Sequence, residues 1–391
     1  MRMSEPIRGP IRAPIRAPIL QFGTSRFLQA HAALFVSEAL ARNEALGGIA
    51  VVQTTSNPVS RARIAALASG EGYPVRIRGM EAGAAVDRVA MGRAIREAWI
   101  ADEDWPAIRR AAIEDMRVIV SNTGDTGYRL DEHDAASLLA QTDHVPRSFP
   151  AKLLVLLHAR WSERPDAPVS LFPCELVANN GDTLRDIVTG LARQWRADPA
   201  FVSWLAAHCV WANSLVDRIV SEAIEPVGAV AEPYALWAIE RQPGLELPCT
   251  HPAIVLTDDL NSFEQLKLFF LNLGHTWLAG QWLVQGRRAD ETVFEAMNDE
   301  AMRASVEAVW QEEVMPVFVA MGLTERAEAY VASVRERFLN PFLRHRLADI
   351  AQNHAEKVKR RMAPLVALAQ ERGVGAAQAR LKAVIARLEN A

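Results

Sequence analysis

The stretch Ile19-Leu20-Gln21-Phe22-Gly23-Thr24-Ser25-Arg26-Phe27-Leu28-Gln29-Ala30-His31 joins an apolar run to a helical pattern through one glycine. Ile19–Phe22 reads as a strand and 23–26 as a turn. Residues 27–42 read as a helix, because Leu28, Ala32, Phe35, Val36, Ala39 and Leu40 keep helical spacing. A second strand is expected over 49–55 (IAVVQTT), apolar on both faces. Strand, helix and strand in succession are the grammar of a parallel sheet with helices on its faces.

Working outward, Tyr73–Arg78, Met116–Ser121 and Val169–Phe172 supply further strand candidates, with helices near 104–113 and 183–195. After Asn213 the β signal shrinks to 215–220 and 254–257, and beyond Phe263 almost everything reads as helix. The expected fold class is α/β: a βαβ half with a parallel sheet over 19–212, followed by a mainly α-helical half over 213–391. Residues 1–18 repeat Pro-Ile-Arg with a proline every fourth residue, which blocks helix and ladder alike, so a disordered Pro-rich tail is expected there.

Composition limits the partners. Half of the 391 residues are apolar and 23% are charged, which suits a folded chain. The net charge of −4 argues against nucleic acid, whose phosphates need clustered positive charge. The apolar run 268–284 is interrupted by Asn272, His275 and Gln281 and is too short for a membrane span. Three cysteines without CxxC or HExxH spacing argue against disulfides and metal and suit a reduced, cytoplasmic protein. Asp258-Asp259 lacks histidine neighbours and reads as strand-end hydrogen bonding rather than a metal pair. Ser214 has no nucleophile-elbow setting, which disfavours a serine hydrolase.

A glycine straight after a strand permits a tight turn, and the helix start behind it offers N–H groups to a pyrophosphate. The match to G-x-G-x-x-G is degenerate, with Ser25 and Leu28 at the later glycine positions, and an ordinary βα turn is the alternative. The second strand ends Gln53-Thr54-Thr55 without the acid that binds the ribose hydroxyls of NAD, and Arg61 and Arg63 follow. NAD is the expected cofactor, with NADP possible.

In Lys267-Leu268-Phe269-Phe270-Leu271-Asn272-Leu273-Gly274-His275, three polar residues stand among apolar ones. At 100° per residue, Asn272 falls about 140° and His275 about 80° around from Lys267, within one arc. Apolar neighbours weaken an ammonium's hold on its proton, which suits a lysine to general acid/base work on an alcohol. Asn272 can donate to the reacting oxygen and His275 can hold a substrate hydroxyl. The alternative is a snorkelling lysine beside a core asparagine and a core histidine.

Lys267-x4-Asn272-x2-His275, the 23–31 turn, 213–218 (NSLVDR) and 337–341 (RFLNP) together resemble the ordered motifs of the polyol-specific long-chain dehydrogenases, the mannitol dehydrogenase family. Residues 148–153 (SFPAKL), 173–182 (PCELVANNGD), 257–260 (TDDL) and 340–347 (NPFLRHRL) are similar to its tagaturonate reductase (altronate oxidoreductase) branch. The resemblance implies an N-terminal Rossmann-like dinucleotide-binding domain over 19–212 and a mainly α-helical substrate and catalytic domain over 213–391, in an NAD(P)-dependent, metal-independent oxidoreductase that is a monomer or homodimer. Lys267 would be the acid/base, with Asn272 and His275 orienting the oxygen. Gly23, Thr24, Ser25 and Phe27 would line the pyrophosphate site, Asn122 and Asp125 the nicotinamide end, and Asp217, Arg337 and His345 the substrate site. Leu176 stands where mannitol dehydrogenases carry an asparagine, a departure from the mannitol pattern.

The basic residues Arg337, Arg344, His345 and Arg346 favour a sugar acid over a neutral polyol, since a bidentate arginine suits a carboxylate. The expected reaction interconverts a secondary alcohol and a ketone on a sugar acid. Mannitol, arabinitol or mannonate/fructuronate dehydrogenases are same-class alternatives, and a non-catalytic nucleotide-binding regulatory protein is an alternative of another class.

Overall fold

The computed structural model describes residues 17–55, 58–124, 126–375 and 378–389. The tail expected over 1–18 therefore lies outside the described residues except for Ala17 and Pro18, and so does Asp125. In chain order the elements are β1 (Ile19–Phe22), α1 (Arg26–Ala30), α2 (Ala32–Ala41), β2 (Ile49–Gln53), α3 (Pro58–Ala68), β3 (Tyr73–Glu81), β4 (Ala84–Gly92), β5 (Ile95–Ile100), α4 (Ala101–Glu114), β6 (Val118–Ser121), α5 (Phe149–Glu163), β7 (Val169–Pro173), α6 (Asn180–Gln194), α7 (Pro199–His208) and β8 (Cys209–Trp211). There follow β9 (Ser214–Asp217), β10 (Val220–Ala223), β11 (Ala229–Ala231), β12 (Leu236–Glu240), β13 (Ile254–Thr257), α8 (Leu260–Leu266), a π-helical segment (Lys267–Asn272), α9 (Leu273–Gln285), α10 (Val293–Asn298), α11 (Glu300–Ala308), a second π segment (Val309–Val314), α12 (Met315–Ala320), α13 (Thr324–Phe338), α14 (Leu347–Ala351), α15 (His354–Arg361), α16 (Ala363–Glu371) and α17 (Ala379–Glu389).

The chain divides into two compact units: residues 1–73, 91–213 and 242–252, and residues 74–90, 214–241 and 253–391. In the first, six parallel strands run in the order β5-β2-β1-β6-β7-β8. Every residue of β1, β2, β6 and β7 is buried, as expected where helices cover both faces. Trp105 and Ile108 of α4, Leu156 of α5, Val188 of α6 and Phe201 of α7 join that core. β1 has the expected bounds, whereas β2 stops at Gln53. The helix expected over 27–42 is two helices, broken at His31 (φ −125°, ψ −106°). The His31 ring lies against Phe27 and Phe35, with centroids 4.8 and 4.5 Å away, so the apolar spacing continues across the break.

The second unit holds two small sheets, β10-β11-β3-β4 and β13-β12-β9, and a helical body. The strand expected over 215–220 is two strands in different sheets, β9 and β10. β11 pairs in parallel with β3, Ala229 opposite Val75. Residues 74–90 therefore belong to the second unit, and a single boundary at 212 does not describe the connectivity. Phe270, Trp310, Phe318, Phe338 and Leu381 centre the helical core. No helix among the described residues is long and apolar enough to cross a membrane.

Candidate functional site

In the first unit, strand order reverses between β1 and β6, the position where open parallel sheets leave a ligand crevice beyond their carboxyl ends. Gly23 follows β1 and Asn122 follows β6. Gly23 has φ +109°, and a Cβ there would stand 2.6 Å from the Asn122 carbonyl oxygen, so only glycine fits this passage. Two buried glutamines that sequence reasoning passed over hold the turn: Gln21 Nε2 donates to the Gly23 carbonyl at 3.0 Å and Gln29 Nε2 to the Thr24 carbonyl at 2.9 Å. The turn is thereby set before any ligand arrives.

Other expected cofactor residues serve this turn from within. Thr24 is buried, and its hydroxyl donates to Gln53 Oε1. Ser25 caps α1, accepting from the Leu28 N–H at 3.3 Å, and Phe27 is half-buried against His31. α1 is only five residues long, so the helix dipole expected behind the turn is short. Asn122 Nδ2 donates to the Cys174 carbonyl at 2.8 Å. A turn of fixed shape after β1, at the switch point, suits the pyrophosphate of a dinucleotide.

Glu175 organises the far side of the crevice. Its carboxylate is buried and accepts from Ser121 Oγ (3.0 Å), the Thr123 N–H (2.9 Å), Thr123 Oγ1 (2.9 Å) and Tyr128 OH (3.4 Å). Burial raises its carboxyl above the usual range, opposed by the Thr123 hydrogen bonds. Other motif residues clasp backbone. Asn180 Nδ2 donates to the Pro173 and Glu175 carbonyls, Asn213 exchanges hydrogen bonds with Asp182, and Ser148 caps α5.

In the second unit, Lys267 opens the π segment. The i→i+5 hydrogen bond of a π turn, made here by the Leu273 N–H to the Leu268 carbonyl, widens the turn and narrows the angle between residues five apart. Lys267 and Asn272 therefore align more closely than the α-helical arithmetic gives. Two carbonyls of this stretch also accept from side chains: Trp310 Nε1 donates to the Phe270 carbonyl at 3.0 Å and Arg361 Nη1 to the Asn272 carbonyl at 3.1 Å. Trp310 reaches its carbonyl across Gly274, where a Cβ would stand 2.7 Å from the indole ring.

The lysine is not in purely apolar company. Its side chain is 17% exposed, Nζ donates to the Val216 carbonyl at 2.9 Å, and Nζ stands 3.7 Å from Asp217 Oδ1. Arg337 joins Asp217 to Glu232, a residue sequence reasoning missed although it is an acid directly following the apolar β11. Its Nη1 and Nη2 donate to Asp217 at 2.8 and 3.0 Å, and its Nε and Nη2 to Glu232 at 3.0 and 2.9 Å. All three side chains are 5% exposed or less. Burial opposes the charge on Asp217, but Arg337 and Lys267 overcome it and hold the carboxyl at about 2. Glu232, without the lysine, is raised by burial despite Arg337.

This corrects the role expected of Arg337. Four of its five N–H donors go to two buried carboxylates, which leaves no pair for a bidentate grip on a substrate carboxylate. The basic cluster around it is likewise committed in part, since Arg346 pairs with Asp349. Asn340 clasps backbone through the Arg78 carbonyl and the Phe342 N–H. Asp258-Asp259 hydrogen-bonds at its strand end as expected: Asp259 caps α8 and Asp258 pairs with Arg241.

His275, on the first turn of α9, is buried with its ring stacked on Phe338 at 4.2 Å and edge-on to His345 at 4.7 Å. Burial, then His345 and the cations Arg337, Arg361 and Lys357, hold it well below the ordinary histidine range. It is a neutral imidazole, able to donate from one nitrogen and accept at the other. Lys267, Asp217, Asn272, His275, Arg337 and His345 thus belong to one unit, and Gly23, Thr24, Ser25, Phe27 and Asn122 to the other.

Two family models match the chain: the mannitol dehydrogenase Rossmann domain over residues 17–247 and the mannitol dehydrogenase C-terminal domain over 259–388. Among curated relatives, the altronate oxidoreductase of Bacillus subtilis (strain 168) is 31% identical over 381 residues, covering 91% of this chain and 76% of the relative. That of Escherichia coli O7:K1 (strain IAI39 / ExPEC) is 30% identical over 395 residues, covering 95% and 78%. Two solved structures share the fold: D-sorbitol dehydrogenase in substrate-free form (TM-score 0.74, 21% identity, 91% of this chain and 77% of that one) and Pseudomonas fluorescens mannitol 2-dehydrogenase in ternary complex with NAD and D-mannitol (0.68, 19%, 92% and 76%). The chain belongs to the mannitol dehydrogenase family.

Proposed function

We propose that this dehydrogenase interconverts a secondary alcohol and a ketone on a sugar acid of the altronate/tagaturonate kind, with Lys267 as the acid/base. The observation that carries the reading is the setting of Lys267 Nζ, held between the Val216 carbonyl and the Asp217 carboxylate and aligned with Asn272 along a π turn. In the oxidative direction Lys267 removes the hydroxyl proton, and in the reductive direction it returns one to the carbonyl oxygen. Asn272 donates to that oxygen, and neutral His275 holds it or a neighbouring hydroxyl. A nicotinamide dinucleotide, when bound, would supply the hydride acceptor for oxidation and the hydride donor for reduction.

With Arg337 committed, the substrate carboxylate falls to cations near His275. Arg361 donates to the Asn272 carbonyl and to Thr276 Oγ1, and Lys357 to the Ile350 carbonyl; all three acceptors are neutral. The names of the curated relatives support a sugar acid, and the solved neighbours keep the neutral polyols as the second reading.

A reduction assay over tagaturonate, fructuronate, fructose and five-carbon ketoses tests the proposal. Turnover of a uronate above the neutral ketoses is expected; fructose reduced fastest overturns the sugar-acid reading. Lys267→Ala should lower kcat by about 10²–10⁴-fold with NADH affinity unchanged, and near-wild-type turnover removes the lysine from the mechanism.

A further inference from the structure

The end of β2 lacks what an NAD-selective crevice uses. In such a sheet an acid at this point accepts from the ribose hydroxyls and repels a 2′-phosphate. Here the described residues after β2 are Thr54 and Thr55, and the Gln53 amide is taken on both sides: Oε1 accepts from Thr24 Oγ1, and Nε2 donates to Thr55 Oγ1 at 2.6 Å. The nearest charges are basic and lie on α3. Arg61 is neutralised by an ion pair with Glu103 of α4. A neighbouring acid of α4, Asp104, is engaged in accepting from the Ile100 N–H.

Arg63 differs from Arg61. It is half-buried, its Nη1 lies 3.5 Å from Thr24 Oγ1 in the first turn, and no carboxylate is within ion-pair distance of it among the described residues. A guanidinium next to the phosphate-facing turn, with donors not taken by an acid, suits a phosphate monoester. We infer that Arg63 recognises the 2′-phosphate of an adenosine dinucleotide, so that the crevice accepts NADP(H) as well as NAD(H). This rests on the reading that the β1/β6 switch point takes a nicotinamide dinucleotide.

Calorimetric titration of the full chain with 2′,5′-ADP and with 5′-ADP, without any sugar, tests it. We expect 2′,5′-ADP to bind at least tenfold more tightly. Arg63→Met should abolish that preference while leaving 5′-ADP affinity and Tm unchanged, and Thr54→Asp, which restores an acid, should reverse it. Equal affinities in the wild type overturn the inference. So does an Arg63→Met variant that weakens both ligands alike, which would place the guanidinium on the pyrophosphate. Binding of neither nucleotide overturns the dinucleotide reading and the inference with it, whereas failure of the sugar panel leaves this result untouched.

Discussion

Lys267 Nζ stands 3.7 Å from Asp217 Oδ1, and the same oxygen accepts from Arg337 Nη2 at 3.0 Å. The carboxylate thus shares its charge between a largely buried amine and a fully buried guanidinium. Two acids, Asp217 and Glu232, face two cations, Lys267 and Arg337.

Asp217→Asn should therefore cost stability as well as turnover. Breaking a buried pair leaves Arg337 undercompensated, at about 3–5 kcal/mol, read from urea unfolding at neutral pH. The folded carboxyl sits at about 2, below its ordinary 3.8. Its contribution, roughly 2 kcal/mol for such a shift, is present above pH 4 and lost as pH falls from 4 to 2. The wild type should show that loss and the Asn variant should lack its share. An identical acid limb in both would remove Asp217 from the linkage.

His275 should stay neutral through the physiological range, because burial and four positively charged or chargeable neighbours oppose its protonation. The Cε1 proton resonance assigned with a His275→Gln variant should not shift between pH 8 and pH 5.5. A titration centred near 6.5 would contradict this environment.

Gly23→Ala should disturb the crevice directly, since its Cβ would press on the Asn122 carbonyl from a positive-φ position. A cost of about 2 kcal/mol or more in unfolding free energy and at least tenfold weaker NADH binding are expected. Unchanged fluorescence titration with NADH would show that the turn has no part in binding.

Glu175→Gln keeps the shape but replaces one acceptor oxygen with a donor facing Ser121 and Thr123. We expect KM for the nucleotide to rise several-fold with kcat reduced less, and Glu175→Asp to recover part of the loss. A fall confined to kcat would indicate that the carboxylate acts on the sugar instead.

Much of the parallel sheet could be read from its apolar runs: β1 has the expected bounds and β7 is longer by one residue, and in the second unit β13 also has its expected bounds. What escaped reading was non-local or departed from the α-helical period. β3 pairs with a strand some 150 residues later, and no window around Tyr73 contains that partner. The π segment defeats a 3.6-residue count, and its second donor, Trp310, lies forty residues on. Lys267, Asn272 and His275 were legible as a motif, but the meaning of Arg337 was not. An arginine in an apolar helix end looks the same whether it awaits a carboxylate or already holds two, and Glu232 decides between these only through folding.

The order of the chain through its two units, changing at 73/74, 90/91, 213/214, 241/242 and 252/253, bears on how the molecule is made. During synthesis neither unit can be completed from a contiguous stretch, and the first still lacks a part until residue 252 has left the ribosome. A gene cut at codon 212 would encode an N-terminal fragment without residues 242–252 but with an unmatched β3–β4 hairpin. Exchange of units between relatives by recombination therefore needs several coordinated junctions, which favours inheritance of both as one piece.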